Sequence, residues 1–265
     1  MELHTCLWND VQAFHFTDAD FDILRRAMPD LTVVVHDNES SFLEQAEQVE
    51  AVLAWDFKAA WYQQFKHLKW IMTPAAGKDW VEPHPLGKVK IVHGTFHGKL
   101  LSESLLSALL FMNHQMPQMV DNFQQHAWNR NIQGQSRLLS DQTVMIIGFG
   151  HIAQDCARLL GCMGTRVIGI SRSATPVSFG AEVYGPELLD DRLPEADHVV
   201  LLLPGGHETD RFMDERRLAL CKKGAFIYNF GRGNALHSRD LVTSWAHLGG
   251  AFLDVTDEEP LPATS

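Results

Sequence analysis

Thr143-Val144-Met145-Ile146-Ile147-Gly148-Phe149-Gly150-His151-Ile152-Ala153 decides the fold. The first five residues are continuously apolar, as a central parallel strand buried on both faces must be. Three small residues then follow at the spacing GxGxxA. Gly148 permits a tight turn, Gly150 lets the backbone approach a pyrophosphate, and Ala153 lets helix and strand pack closely. The helix expected over 152–160 would aim its first amides, those of His151 and Ile152 among them, at the phosphates. The His151 side chain itself reads as solvent-facing. A glycine-rich turn alone says little. Its setting between a buried strand and an amphipathic helix makes it a dinucleotide signature.

Outward from this stretch, short apolar runs alternate with amphipathic segments. Strands are expected at 3–8, 31–35, 51–55, 68–73 and 89–92, then at 166–170, 198–203, 225–229 and 251–255. Thr17 is a good cap for a helix over 18–28 that stops at Pro29, and Ser40 or Ser41 can cap a helix over 42–49. A long helical stretch over 99–128 carries Leu101, Leu105, Leu106, Leu109, Met112 and Met116 at helical spacing, for core and interface packing, and Pro117 kinks or divides it. Such alternation predicts an α/β protein of two doubly wound parallel-sheet domains. Residues 1–98 would form one of them, flavodoxin-like, and residues 99–265 a Rossmann dinucleotide-binding domain.

Composition narrows the function classes. The 265 residues carry a formal charge of −11, with no Lys/Arg cluster, which argues against a nucleic-acid partner. No apolar run is long enough for a membrane span. Cys6, Cys156, Cys162 and Cys221 form no CxxC pair, so neither a zinc site nor a disulfide framework is expected. His93 and His97 are four apart, but Gly94 and Gly98 suggest a loop, and no metal is assigned. These features fit a soluble cytoplasmic protein.

About 20 residues past the glycine turn, an acidic residue would bind the ribose of NAD. The expected strand instead ends Ser171-Arg172-Ser173, a guanidinium between two hydroxyls with no neighbouring carboxylate in the sequence. A guanidinium suits a 2′-phosphate, so NADP is the expected cofactor, with NAD possible. Asn229-Phe230-Gly231-Arg232-Gly233 and Leu253-Asp254-Val255-Thr256-Asp257-Glu258-Glu259-Pro260-Leu261-Pro262 close two further strands. Ligands of an open α/β sheet bind at those carboxyl ends. Alone, an Arg between glycines is usually a solvated turn residue and a Glu before Pro a loop charge. Their joint placement beside the glycine turn lifts both above that.

The order of these motifs resembles the D-isomer-specific 2-hydroxyacid dehydrogenase family, and within it the glyoxylate/hydroxypyruvate reductase branch. The resemblance extends to Pro74-Ala75-Ala76-Gly77-Lys78-Asp79, Ser102-Glu103, Trp128 and the stretch from Leu203-Pro204 to Thr209. It implies an oxidoreductase that moves hydride between NAD(P)H and a small 2-oxo acid. It implies that Arg232 holds the substrate carboxylate and polarises the carbonyl, and that Glu259 raises the pKa of a catalytic histidine. The amides of Ala76 and Gly77 would grip the carboxylate, which makes residues 1–98 the substrate domain. Leu203, Pro204, Thr209, Phe230, Gly231 and Asp254 would line the nicotinamide and ribose; Trp55, read from its place after a first-domain strand, either borders the cleft or is a partly buried packing residue. A homodimer through residues 100–128 is also implied. The family's histidine follows the EPLP motif in a Pro-His pair. No position before Ser265 matches it, so the sequence reads as part of a longer chain. A recruited histidine or a non-catalytic, dinucleotide-sensing relative are the alternatives, and phosphoglycerate is an alternative substrate.

Overall fold

The computed structural model describes residues 2–9 and 11–262. The chain forms two compact units, Met1–Thr95 and Phe96–Ser265, and each is built on a parallel sheet.

In the first unit, strands β1 (Glu2–Cys6), β2 (Thr32–Val35), β3 (Ala51–Ala54), β4 (Trp70–Thr73) and β5 (Lys90–His93) lie in the order β2-β1-β3-β4-β5. This is the flavodoxin-like order, with its topological switch between β1 and β3. Helix α1 (Asp18–Ala27) begins at Thr17, which forms a reciprocal capping box with Asp20. Helix α2 (Glu39–Glu44) starts earlier than the sequence suggests. Its cap is Asn38, not Ser40 or Ser41, and Asn38 Oδ1 accepts the Ser41 N–H at 2.9 Å. The chain beyond Glu44 tightens into a 3₁₀ turn rather than continuing as helix.

The second unit begins with α3 (His97–Asn113) and α4 (Met116–Gln124). Gln115 breaks the long helix by entering the left-handed region at φ 56°. Pro117 then falls in the first turn of α4, where its missing N–H has no helical acceptor to lose. The remaining elements are β6 (Thr143–Ile147), α5 (His151–Cys162), β7 (Arg166–Ile170), β8 (Glu182–Tyr184), α6 (Leu189–Arg192), β9 (His198–Leu201), α7 (Glu215–Leu220), β10 (Phe226–Asn229), α8 (Ser238–Ser244) and β11 (Gly250–Leu253). Their order is β11-β10-β9-β6-β7-β8, the doubly wound dinucleotide arrangement with its switch between β6 and β9.

Alternate residues of β6 feed two cores. Val144 and Ile146 pack with Leu105, Leu109, Ala153 and Leu160 of α3 and α5, while Met145 and Ile147 pack with Leu189, Leu193, Leu218 and Leu241. Each such side chain contributes roughly 1.5–3 kcal/mol of burial. That double burial fixes where β6 ends and hence where the glycine turn emerges. Strand β8 was not expected. It is three half-buried residues, secured to β7 by backbone pairing and by Arg166, whose guanidinium donates to both Glu182 carboxylate oxygens at 2.7 and 3.0 Å. Among the described residues, no helix is long and apolar enough to cross a membrane.

Candidate functional site

The turn after β6 separates two kinds of glycine. Gly148 has φ +95°, and a Cβ there would lie 2.7 Å from the Leu202 carbonyl carbon, closer still to its oxygen. Backbone and packing both demand glycine at this position. The Gly148 and Phe149 amides converge on the Ile170 carbonyl at 3.0 and 2.9 Å, which pins the turn to β7. Gly150 is different. Its φ of −88° and ψ of −159° suit any residue, and a Cβ built there meets nothing within 4 Å. No neighbouring atom excludes a side chain there, whereas a ligand touching the backbone would. The first-turn amides of α5 at His151, Ile152 and Ala153 have no acceptor within the helix and carry its positive end. Open space, free-pointing amides and a helix dipole together fit a pyrophosphate. The His151 imidazole is exposed, 4.0 Å from Asp155.

At the end of β7, the Ser171 amide donates to the Tyr184 carbonyl at 2.9 Å, and the Ser171 and Ser173 hydroxyls lie 3.3 Å apart. Arg172 points into solvent between them. The sequence places no carboxylate near it, but the structure does: Glu208, 36 residues away, approaches the Arg172 guanidinium to 3.5 Å.

The other motif segments form a row along the carboxyl ends of β9, β10 and β11. The Leu202 amide donates to Ile147 O at 2.8 Å, joining this stretch to β6. A Cβ on buried Gly231 would stand 2.6 Å from Leu203 O, so these backbones touch. Gly233 abuts the Thr256 carbonyl in the same way. The Asp254 amide donates to Asn229 O at 3.0 Å, and Glu259 Oε1 accepts the Thr256 N–H at 2.9 Å. The Arg232 turn and the Glu259 loop are therefore neighbours, in line with Leu203 and Gly148. Glu259 is exposed, and Arg232 is half-buried with Nη1 donating to Gly231 O at 3.1 Å. The Phe230 ring is buried and stacks on Phe252, so this residue offers the row only its backbone.

Several supporting residues escaped the sequence reading. Buried Asn229 accepts the Gly231 N–H at 3.1 Å and donates to Arg232 O at 3.1 Å, which shapes the Arg232 turn. The segment from Pro204 to Thr209 is laced by Thr209 Oγ1, which donates toward Pro204 O at 2.7 Å and Gly206 O at 3.0 Å, and by Asn234 Nδ2, which donates to Gly206 O at 3.1 Å. Pro204 itself is exposed. Arg211, held at φ 48°, makes a two-pronged ion pair with buried Asp240, both contacts at 2.6 Å. That guanidinium holds the Asp240 carboxyl below the usual carboxylate range. The only sequence signal for these partners was polarity beside glycine turns.

Ala76 and Gly77 belong to the first unit, half-buried just past β4. Thr73 Oγ1 donates to Trp55 O at 2.9 Å and accepts the Ala75 N–H at 3.1 Å, fixing the start of that loop. Trp55 is buried against Phe14, Phe16 and Trp80, with Nε1 donating to Phe14 O at 3.0 Å.

A model of the D-isomer specific 2-hydroxyacid dehydrogenase NAD binding domain matches residues 106–265. A glyoxylate reductase of Thermococcus kodakarensis is 39% identical over 124 residues, 45% of this chain and 36% of that protein. An (S)-sulfolactate dehydrogenase of Chromohalobacter salexigens is 39% identical over 127 residues, 46% of this chain and 41% of that protein. The matches thus span well under half of these curated relatives. Among solved structures, a D-isomer specific 2-hydroxyacid dehydrogenase family protein of Aeromonas salmonicida superposes with a TM-score of 0.78 at 29% identity, covering 100% of this chain and 84% of that one. An NADPH-dependent glyoxylate/hydroxypyruvate reductase of Sinorhizobium meliloti, solved with NADP and sulfate, has a TM-score of 0.79 at 25% identity, again over 100% of this chain and 84% of that one.

Proposed function

We propose that this chain, which belongs to the D-isomer specific 2-hydroxyacid dehydrogenase family, binds NADP(H) and interconverts a short 2-oxo acid with its D-2-hydroxy acid. Gly150 carries the reading, because nothing in the fold occupies the space its side chain would take. The amides heading α5 hold the pyrophosphate. Ser171, Arg172 and Ser173 receive the 2′-phosphate, and with NAD the same groups meet only a hydroxyl. Leu203, Pro204, Thr209, Gly231 and Asp254 border the nicotinamide half. Bound there, the nicotinamide supplies or accepts the hydride.

Negative charge grows on the substrate carbonyl oxygen as the hydride adds. The Arg232 guanidinium, set on the turn that Asn229 shapes, pairs with the carboxylate and stabilises that charge. Ala76 and Gly77 follow β4 in the first unit, which we assign as the substrate domain. In the role the family resemblance implies, Glu259 is the carboxylate partner of a histidine proton donor and keeps it charged near neutral pH. Glyoxylate and hydroxypyruvate are favoured as substrates because the compared proteins include reductases of both.

Met116, Val120 and Phe123 form an exposed apolar stripe at helical spacing on α4, which supports a homodimer through this helix. Four free cysteines, with no disulfide among them, suit the reducing cytoplasm. The test is oxidation of NADPH and NADH with glyoxylate, hydroxypyruvate, sulfopyruvate and 3-phosphohydroxypyruvate in turn. Turnover of the first two with NADPH is expected. Turnover of the phosphorylated acid alone would move the substrate to phosphoglycerate, as in a Mycobacterium bovis relative 31% identical over 164 residues. Tight NADPH binding without turnover of any acid would overturn the enzymatic reading.

A further inference from the structure

The Arg172–Glu208 contact adds little to the stability of the fold. Both side chains are more than four-fifths exposed, and one guanidinium nitrogen meets one carboxylate oxygen at 3.5 Å. The structural ion pairs of this unit look different. Arg211 grips Asp240 with two contacts at 2.6 Å, and Arg166 grips Glu182 at 2.7 and 3.0 Å. The backbones behind Arg172 and Glu208 are nonetheless fixed. Ser171 is tied to Tyr184, and the turn bearing Glu208 is closed by Thr209 on Pro204 and Gly206. Two side chains free to change partner thus stand on two anchored loops.

Their placement matters. Arg172 follows β7 and Glu208 follows β9, and β6 with its Gly148–Gly150 turn lies between those strands. The pair therefore links the two loops that flank the pyrophosphate cradle. We infer that Glu208 is a specificity-determining residue: it competes with the cofactor's 2′-phosphate for Arg172 and so limits the preference for NADP(H) over NAD(H). The inference rests on the cofactor reading above. A 2′-phosphate carries about −1.5 to −2 charges at neutral pH. To reach Arg172 it must displace one carboxylate and then sit beside it. A 2′-hydroxyl brings no charge, so the Arg172–Glu208 pair can stay closed or accept the hydroxyl proton in a hydrogen bond.

The experiment is a binding titration of wild-type protein, Glu208→Gln, Arg172→Gln and the double variant with 2′,5′-ADP, 5′-AMP, NADPH and NADH. Glu208→Gln should tighten the 2′-phosphorylated ligands about two- to fivefold, the worth of one exposed ion pair. It should leave 5′-AMP and NADH nearly unchanged, and the gain should vanish in the Arg172→Gln background. Equal effects on both ligand classes, or a gain that persists without Arg172, would overturn the inference while leaving the cofactor site intact. Failure of all four ligands to bind the wild-type protein would overturn the cofactor reading itself.

Discussion

Replacing Gly148 and Gly150 one at a time with alanine separates a glycine the fold needs from one a ligand needs. At Gly148 the φ of +95° costs an L-residue about 1–2 kcal/mol. The overlap with the Leu202 carbonyl adds about 1–3 kcal/mol, since backbone rather than a flexible side chain must yield. Gly148→Ala should therefore destabilise by about 2–5 kcal/mol, a fall in Tm of roughly 5–15 °C. At Gly150 two small effects oppose each other. Alanine is a poorer helix N-cap than glycine, by about 0.5–1 kcal/mol. It also stiffens the unfolded chain, which returns about 0.4–1 kcal/mol where the native angles are allowed, as they are here. Gly150→Ala should leave Tm within a degree or two. Its methyl group would nevertheless fill the clearing before the α5 amides and hold a phosphate off them. Losing one or two charge-assisted hydrogen bonds costs about 1.5–3 kcal/mol, or roughly ten- to a hundredfold in Kd. Thermal melts with and without NADPH, and a fluorescence titration of NADPH, read both quantities. A Gly150→Ala protein that binds NADPH like wild type, or one that melts as early as Gly148→Ala, would refute the reasoning.

Arg232→Ala should lower kcat/KM for 2-oxo acids at least about a hundredfold, and Arg232→Lys should not restore it because an ammonium lacks the planar fork; NADPH affinity should hold within about twofold, and steady-state kinetics beside a cofactor titration checks both. Burial pushes the His198 imidazole, placed between the Tyr228 hydroxyl and Gln142, down to about 4. The unfolded chain takes up that proton from about pH 6.5 downward and the folded chain only near 4, so stability should fall by about 3 kcal/mol across that window and stay flat above pH 7. NMR titration of His198 showing protonation above pH 6 would contradict this, and His198→Gln should lose that part of the pH dependence. Asp240→Asn should remove a contribution that the wild type keeps at neutral pH and loses below about pH 4, so the two melting curves should converge in acid. Phe123→Glu, on the exposed stripe of α4, should turn a dimer into a monomer in light scattering; an unchanged mass would refute that interface.

What the sequence disclosed, and what it withheld, follows from how far each interaction reaches along the chain. Strand β6 was readable because burial on both faces leaves an unbroken apolar run, and the break of the long helix was readable because proline sits beside it. Strand β8 was not: three residues carry no period, and pairing with β7 and the Arg166 guanidinium hold it rather than its own pattern. Asn38 took the cap from Ser40 and Ser41 because all three are competent caps, and the choice depends on where the chain leaves β2. The site divides in the same way. The glycines, Arg232 and Glu259 announce themselves through neighbours in sequence. Glu208 meets Arg172, Asp240 meets Arg211 and Asn234 meets Gly206 only once β7, β6, β9 and β10 are assembled in one sheet. Even the two glycines of one motif, equivalent as letters, part company only when a Cβ is tried against the folded backbone. On the reading proposed above, cofactor choice rests on side chains whose pairing is tertiary and whose backbones are held by other residues. Such positions can change without refolding the sheet, so the proposed role of Glu208 is open to tuning, whereas any change at Gly148 first costs stability.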